Sequence, residues 1–138
     1  MFRFRIAADL NNLATIRRFV EDAAASRPAD PEAIAEMLLA MNEAATNIIV
    51  HGYQEQPGII EVEVGYDKDA LVVCLRDRAP AFDPTLVPAP DLTLPLEQRP
   101  LGGMGIHMMR QFTDELLYRT TPDGSNELIL VKKNVRQL

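Results

Sequence analysis

The spacing of apolar residues in the first fifty positions predicts one strand followed by two helices. Residues 2–8 fit a short strand, and residues 11–26 place apolar side chains at helical intervals. A second helix is predicted over residues 31–50, with Asp30 as its N-cap and Pro31 at its first position. Its apolar stripe consists of Ile34, Met37, Leu38, Met41, Ala45 and Ile48. Each helix is therefore expected to bury one face.

Two hairpins are predicted further along the chain. Apolar residues alternate with polar or small ones over residues 60–66, and a polar turn connects them to a second apolar run over residues 70–76. Strands are also predicted over residues 115–120 and 126–134, where the connecting sequence TPDG at 121–124 is a strong turn signal. The second half of the chain is thus expected to supply most of a sheet.

A proline-rich segment, residues 78–100, separates the two hairpins. Its prolines are Pro80, Pro84, Pro88, Pro90, Pro95 and Pro100. Because proline lacks an N–H group, neither a helix nor a central strand can run through this spacing. Loops longer than ~12–15 residues in compact domains are usually functional lids or disordered segments. A third helix is predicted to follow, from Gly102 to about Phe112.

The order of these elements is strand, two helices, two strands, long loop, helix and two strands. This order predicts an α+β fold, a two-layer α/β sandwich with one largely antiparallel sheet and three main helices on one face. The chain of 138 residues fits a single domain, 1–138.

Composition and charge narrow the classes of function. The hydrophobic fraction of 47% and the charged fraction of 25% are ordinary for a globular domain. The net charge is −6, so the chain lacks the excess of basic residues that is typical of a nucleic-acid-binding protein. We expect no signal peptide, and no apolar run of the ~18–20 residues that span a membrane. Cys74 is the one cysteine, so no internal disulfide can form and a cytoplasmic location is expected.

Glu43 and Asn47 lie four residues apart on the second predicted helix, and so point the same way. A carboxylate and a carboxamide one turn apart suit Mg²⁺, which takes oxygen ligands. The alternative is a solvent-facing polar strip on an amphipathic helix, and on spacing alone that explanation is the more common one.

Two other positions suggest ligand contacts. Asp77 ends an apolar strand just before a loop, where a carboxylate can accept a hydrogen bond from a ligand; the alternative is an Asp that starts a turn. Gly102, Gly103 and Gly105 open a helix, and such a loop offers backbone N–H groups to an anion. No Lys-Ser or Lys-Thr follows, so this is not a Walker A loop.

These three elements, in this order, resemble the motifs of the GHKL (Bergerat-fold) ATP-binding superfamily. NEAATNIIVHGY, residues 42–53, is similar to its N box, in the form found in bacterial anti-sigma-factor serine/threonine kinases. DRAPAFDP, residues 77–84, resembles the G1 box of that subfamily, and PLGGMGIHMM, residues 100–109, resembles its G2 box. Three ordered motifs are much more specific than any one of them.

The resemblance implies a role for each matching position. Glu43 would be the general base, Asn47 would coordinate Mg²⁺, and Asp77 would accept the adenine amino group. Residues 85–101 would form a lid over ATP, and Arg99 would reach the γ-phosphate. The remaining implied nucleotide contacts are Ala79, Phe82, Gly102, Gly103, Met104, Gly105 and Ile106. Ala79 stands where the G1 box usually has glycine, which puts nucleotide affinity in question.

The implied function is an ATP- and Mg²⁺-dependent serine/threonine kinase in a partner-switching pathway. It would phosphorylate a STAS-type anti-anti-sigma protein, bind a sigma factor or other regulator in its other state, and form a homodimer. No direct contact with nucleic acid or a membrane is expected. The alternative is a non-catalytic GHKL module that works by partner binding only. An ATPase that drives conformational work would need further domains.

Overall fold

A computed structural model describes residues 1–86, Thr93, Pro95 and residues 103–135. Short 3₁₀ turns lie at Leu10–Asn12 and Pro84–Leu86. The main elements of the described part are β1 (Phe2–Ala7), α1 (Leu13–Ala24), α2 (Pro31–Asn47), β2 (Ile59–Asp67), β3 (Ala70–Asp77), α3 (Gly103–Phe112), β4 (Glu115–Thr120) and β5 (Asn126–Lys132).

The five strands form one sheet in the order β1-β2-β3-β5-β4, and each of its four pairings is antiparallel. The predicted α+β fold is confirmed. Two predicted hairpins, β2–β3 and β4–β5, are also confirmed. β3 is the middle strand, so its last residue, Asp77, lies near the centre of one sheet edge, opposite Asn126 of β5.

The helices pack on one face of the sheet. Alternate strand residues point to this face and join a single buried cluster: Ile60, Val62 and Val64 of β2, Leu71, Val73 and Leu75 of β3, and Leu128 and Leu130 of β5. Ile16 of α1, Met37 of α2 and Met109 of α3 belong to the same cluster and are fully buried. Burying each such side chain contributes ~1.5–3 kcal/mol to the free energy of folding. This cluster lies between the sheet and the helices, as the predicted two-layer sandwich requires.

Helix α2 lies at the centre of the helical layer and packs against α1, α3, β3 and β5. Together with the turn that follows it, it spans Pro31–Gly52, which by length and mean hydropathy (1.3) is long and apolar enough to cross a membrane. The expectation that no segment would reach that length is therefore wrong. Length and composition are weak evidence for a membrane span, because the core helix of a globular domain passes the same test. In this domain Met37, Ala40 and Met41 of the helix are buried in the core.

The end of α2 differs from the prediction of a regular helix through residue 50. After Asn47 the backbone widens into a π-helical turn, Ile48–Gly52. The N–H of Tyr53 donates to the carbonyl of Ile48 at 2.8 Å, one residue further back than in an α-helix. The start of α2 is as predicted: Asp30 caps it by accepting a hydrogen bond from the Glu32 N–H.

The opposite face of the sheet carries a row of alternating charges that follows the strand register from β1 to β4. The members of this charge row are Arg5, Glu61, Arg76, Glu127 and Arg119. Arg76 Nε donates to Glu127 Oε2 at 2.6 Å, and Arg119 Nε donates to Glu127 Oε1 at 2.7 Å. Burial alone would raise the pKa of Glu127, but these two arginines outweigh it and hold the pKa below its usual value.

Cys74 lies beside the charge row. It is buried on the face of the sheet opposite the helices, where it is paired with Glu63 of β2. Burial raises the pKa of the Cys74 thiol to about 12. Arg76 Nη1 donates to Glu63 Oε2 at 2.5 Å, so one guanidinium covers this part of the face.

We expect Arg76→Met to lower the free energy of unfolding by about 3 kcal/mol or more, because it leaves Glu63 and Glu127 buried without their shared cation. Chemical denaturation measures this loss. Arg78→Ala is the matched control: its ion pair with Asp123 is 64% exposed on both sides, and such pairs contribute ~0–1 kcal/mol. Equal losses in the two variants would contradict a structural role for the charge row.

Candidate functional site

A pocket opens where the end of α2 faces the end of β3 and the start of β5. It holds about 440 Å³ of empty space when its mouth and the open solvent there are included. Its described walls are Ala44, Asn47, Ile48, Gly52, Asp77, Ala79, Pro80, Phe82, Pro84, Met109, Tyr118, Asn126 and Leu128. Most of these side chains are apolar. The pocket therefore suits a small organic group held by a few directed hydrogen bonds.

Asn47 is the polar wall residue contributed by α2. Its Nδ2 is buried and has no hydrogen-bond partner among the described residues. A buried, unpaired amide costs ~1–3 kcal/mol, so this group lacks the partner that a ligand oxygen would supply. The π-helical turn begins at the next residue and brings Gly52 into the same wall. Such turns occur frequently at functional sites.

Glu43 lies one helical turn before Asn47 and contacts α3. A Cβ atom at Gly105 would lie 2.8 Å from Glu43 Oε2, so glycine leaves room for this carboxylate where it lies, and a larger residue would require the carboxylate to shift. Gly105 is in the first turn of α3, where the positive end of the helix dipole favours a negative charge. The Asn47 amide thus lies in the pocket wall, and the Glu43 carboxylate lies one turn away against the glycine-rich start of α3.

Asp77 is 9% exposed and ends β3 at the floor of the pocket. Its Oδ1 accepts hydrogen bonds from the Ala79 N–H at 2.9 Å and from Asn126 Nδ2 at 2.9 Å. Burial raises the pKa of Asp77, and these two hydrogen bonds act in the opposite direction. Both recorded bonds end on Oδ1, which leaves Oδ2 as the oxygen for a ligand donor.

Asn126 and Tyr118 belong to the site but were missed from the sequence. Asn126 is 5% exposed, and its Nδ2 also donates to the Ala79 carbonyl at 2.7 Å. The Tyr118 hydroxyl donates to Asn126 Oδ1 at 3.0 Å. One signal was available: a short polar side chain opens the apolar strand β5, directly after a turn.

Ala79, the departure from the G1 pattern, is accommodated by a glycine opposite it. Ala79 is 7% exposed, and a Cβ at Gly52 would lie 3.1 Å from the Ala79 methyl group. The methyl group therefore fills space that Gly52 leaves free. The pocket stays open beside it.

Phe82 also lines the pocket, with 53% of its surface exposed, and its N–H donates to the Tyr118 hydroxyl at 3.1 Å. Arg110 of α3 donates to the carbonyls of Pro84 and Thr85 at 3.2 and 2.7 Å, which ties down the segment that enters the predicted lid.

Several predicted residues do not contribute to the described pocket. Most of the predicted lid (85–101), Arg99 and Gly102 lie outside the described residues, and of Gly103 and Met104 the structure gives only their place in α3. Ile106 is 2% exposed and packs in the core.

A divalent cation would have few protein ligands here. The described residues contain no cluster of three or more His, Cys, Asp or Glu side chains. Mg²⁺ often binds through one or two protein oxygens together with phosphate oxygens and water. Asn47, which lines the pocket, carries one such oxygen, Oδ1.

The antiparallel α+β sandwich, with a Glu–Asn pair on its second helix and a buried Asp at the end of its middle strand, has the arrangement of a GHKL ATP-binding domain. The chain belongs to the histidine kinase-like ATPase domain family, whose model matches residues 6–132.

Individual relatives agree with this family. The chain is 31% identical to the serine-protein kinase RsbW of Bacillus cereus (strain AH187) over 87 residues, 60% of this chain and 54% of the relative, so it spans about half of that protein's length. It is 29% identical to the anti-sigma F factor of Thermoanaerobacter sp. (strain X514) over 136 residues, 98% of this chain and 94% of the relative.

A solved structure shares the fold. The crystal structure of the RsbU and RsbW domains of Rv1364c from Mycobacterium tuberculosis matches all of this chain (100%) over 35% of its own length, with a TM-score of 0.61 and 17% identity. At that identity the match shows the fold alone.

We expect Asp77→Asn to lower the affinity for ADP at least tenfold, since losing a hydrogen bond to a charged group costs ~1.5–3 kcal/mol. Ala79 and Asn126 both donate to this side chain, so its amide oxygen would face them and its NH₂ group would face the ligand's amino group. Calorimetry measures the change, with the exposed Asp123→Asn as control. Unchanged binding would rule out Asp77 as the base-recognition residue.

Proposed function

We propose that this domain is an ATP-dependent serine/threonine protein kinase that acts as an anti-sigma factor in a partner-switching pathway. Its substrate is a serine of a STAS-type anti-anti-sigma protein, and in its other state it binds a sigma factor or a similar regulator. The names of the relatives, serine-protein kinase RsbW and anti-sigma F factor, support this proposal. The proposal includes a cytoplasmic location and a homodimer.

The observation that carries the proposal is the position of Glu43. Its carboxylate contacts Gly105 in the first turn of α3, and the buried amide of Asn47 lies one turn away along α2. A helix N-terminus is a favourable place for phosphate groups, so a carboxylate beside it is placed to receive a proton from an incoming hydroxyl group.

Each residue then has a separate task. Asp77 accepts the adenine amino group through Oδ2 at the floor of the pocket. Asn47 holds Mg²⁺, which when bound neutralises charge on the phosphates. Glu43 accepts the proton of the substrate serine, while Gly105 keeps the backbone of α3 close to the phosphates.

The alternative is a non-catalytic module that binds nucleotide and acts through its partners alone. Ala79 is the feature of the sequence that favours it. The Ala79 methyl group lies opposite Gly52, which has no side chain, and this arrangement supports the kinase proposal over the alternative.

Incubation with γ-labelled ATP, Mg²⁺ and a STAS-type protein from the same genome tests the proposal, followed by mapping of the phosphorylated residue. We expect label on a serine of the STAS-type protein. A chain that binds ATP and its partner but transfers no label would favour the non-catalytic alternative.

We expect Glu43→Gln to phosphorylate the partner at least ~100-fold more slowly, since loss of a general base costs ~10²–10⁴ in rate. Affinity for ADP should stay unchanged, because Glu43 is not among the described pocket walls. Single-turnover kinetics and calorimetry measure the two quantities. Glu21→Gln, an exposed position on α1, is the control and should change neither. A wild-type rate in Glu43→Gln would refute the catalytic role.

Asn47→Ala should behave differently from Glu43→Gln. Removing the amide takes away the protein ligand for the cation, so we expect the gain in ATP affinity on adding Mg²⁺ to disappear together with activity. Titrations with and without Mg²⁺ measure this gain. If Asn47→Ala kept the full Mg²⁺ dependence, the cation would have to be held elsewhere.

A further inference from the structure

Tyr118 and Asn126 form a chain of hydrogen bonds along one wall of the pocket, which we call the Tyr–Asn relay. It begins at the N–H of Phe82, passes through the Tyr118 hydroxyl to the Asn126 side chain, and ends on Asp77 and on the carbonyl of Ala79. The relay joins strands β4 and β5 to the loop that follows β3.

The direction of every bond in the relay is fixed by its donors. The Phe82 N–H donates to the Tyr118 hydroxyl, so the one hydroxyl hydrogen goes to Asn126 Oδ1. Both hydrogens of Asn126 Nδ2 are then used, on Asp77 Oδ1 and on the Ala79 carbonyl. A rotated amide would set its oxygen against a carboxylate and a carbonyl. Tyr118 therefore holds the Asn126 amide in the same orientation that Asp77 and the Ala79 carbonyl require.

The fixed amide determines what Asp77 presents to the pocket. Oδ1 is occupied by two donors, from Ala79 and Asn126, and these donors also hold the plane of the carboxylate. Oδ2 remains as an acceptor with a defined direction. A hydrogen-bonding site that is fixed in this way rejects a ligand with an acceptor in place of a donor, because two acceptors then face each other.

We propose that Tyr118 and Asn126 are the positioning residues for purine recognition: Tyr118 orients Asn126, and Asn126 orients Asp77, so that the site selects a base with an exocyclic amino group over one with a carbonyl at the same position. The inference rests on the proposed use of this pocket for an adenine nucleotide. The preference of Asp77 for an amino group would then depend on two residues from the neighbouring strands β4 and β5.

The test compares ADP with inosine diphosphate, which carries a carbonyl in place of the adenine amino group. Calorimetry on the whole chain gives both affinities for wild type, Tyr118→Phe, Asn126→Ala and the double variant. We expect wild type to prefer ADP, and each single variant to bind ADP about tenfold more weakly with a smaller change for inosine diphosphate. The double variant should be no worse than Asn126→Ala, because Tyr118 acts through Asn126.

Tyr66→Phe is the matched control. It also removes a hydroxyl group, one that donates to the Ala24 carbonyl at the end of α1. It should alter stability without changing the ratio of the two affinities. Tyr118→Phe keeps its ring in the sheet, so it serves as the test variant if Asn126→Ala fails to fold.

Three results would overturn the inference. The first is an unchanged ratio of affinities in Tyr118→Phe, including equal weakening of both nucleotides. The second is additive losses in the double variant. The third is a wild-type chain that binds neither nucleotide, which would overturn the proposed function as well. A chain that gives the expected ratios but transfers no phosphate would overturn the kinase proposal alone.

Discussion

The hydrogen bond between Asn126 and Asp77 joins the middle strand of the sheet to its neighbour where both strands border the pocket. It depends on the antiparallel register of β3 and β5, which sets these two residues opposite each other. A shift of that register by one residue would send Asp77 to the other face of the sheet and the apolar residues of both strands out of the core. The same pairing therefore specifies the core and the recognition site.

Helix α2 carries a second constraint, because it is both the central core helix and one wall of the site. Its buried face has a small residue, Ala44, where it borders the pocket, and large ones such as Met37 and Met41 deeper in the core. The segment is as apolar as a membrane-spanning helix because its buried face is covered by the sheet and the neighbouring helices. Two of its polar residues, Glu43 and Asn47, lie in its last turns.

Sequence periodicity was sufficient for the strands, the helices and the hairpins, because these depend on local patterns of apolar residues and turns. Recognisable motifs gave Glu43, Asn47 and Asp77 as candidate site residues, and the structure places Asn47 and Asp77 in the pocket wall. Sequence periodicity missed Tyr118 and Asn126, whose roles arise only when β4 and β5 pair and bring their side chains to a loop more than thirty residues earlier. The π-helical turn after Asn47 was missed as well, because a one-residue widening leaves no mark in an apolar stripe.

The contact between Gly52 and Ala79 has a consequence for how this sequence can drift. Only about one methyl group fits between the two backbones, and it can be carried from either side. A chain that regained glycine at position 79 would have a void there, which alanine at position 52 could fill. We therefore expect these two positions, twenty-seven residues apart, to change together, with alanine at one accompanied by glycine at the other.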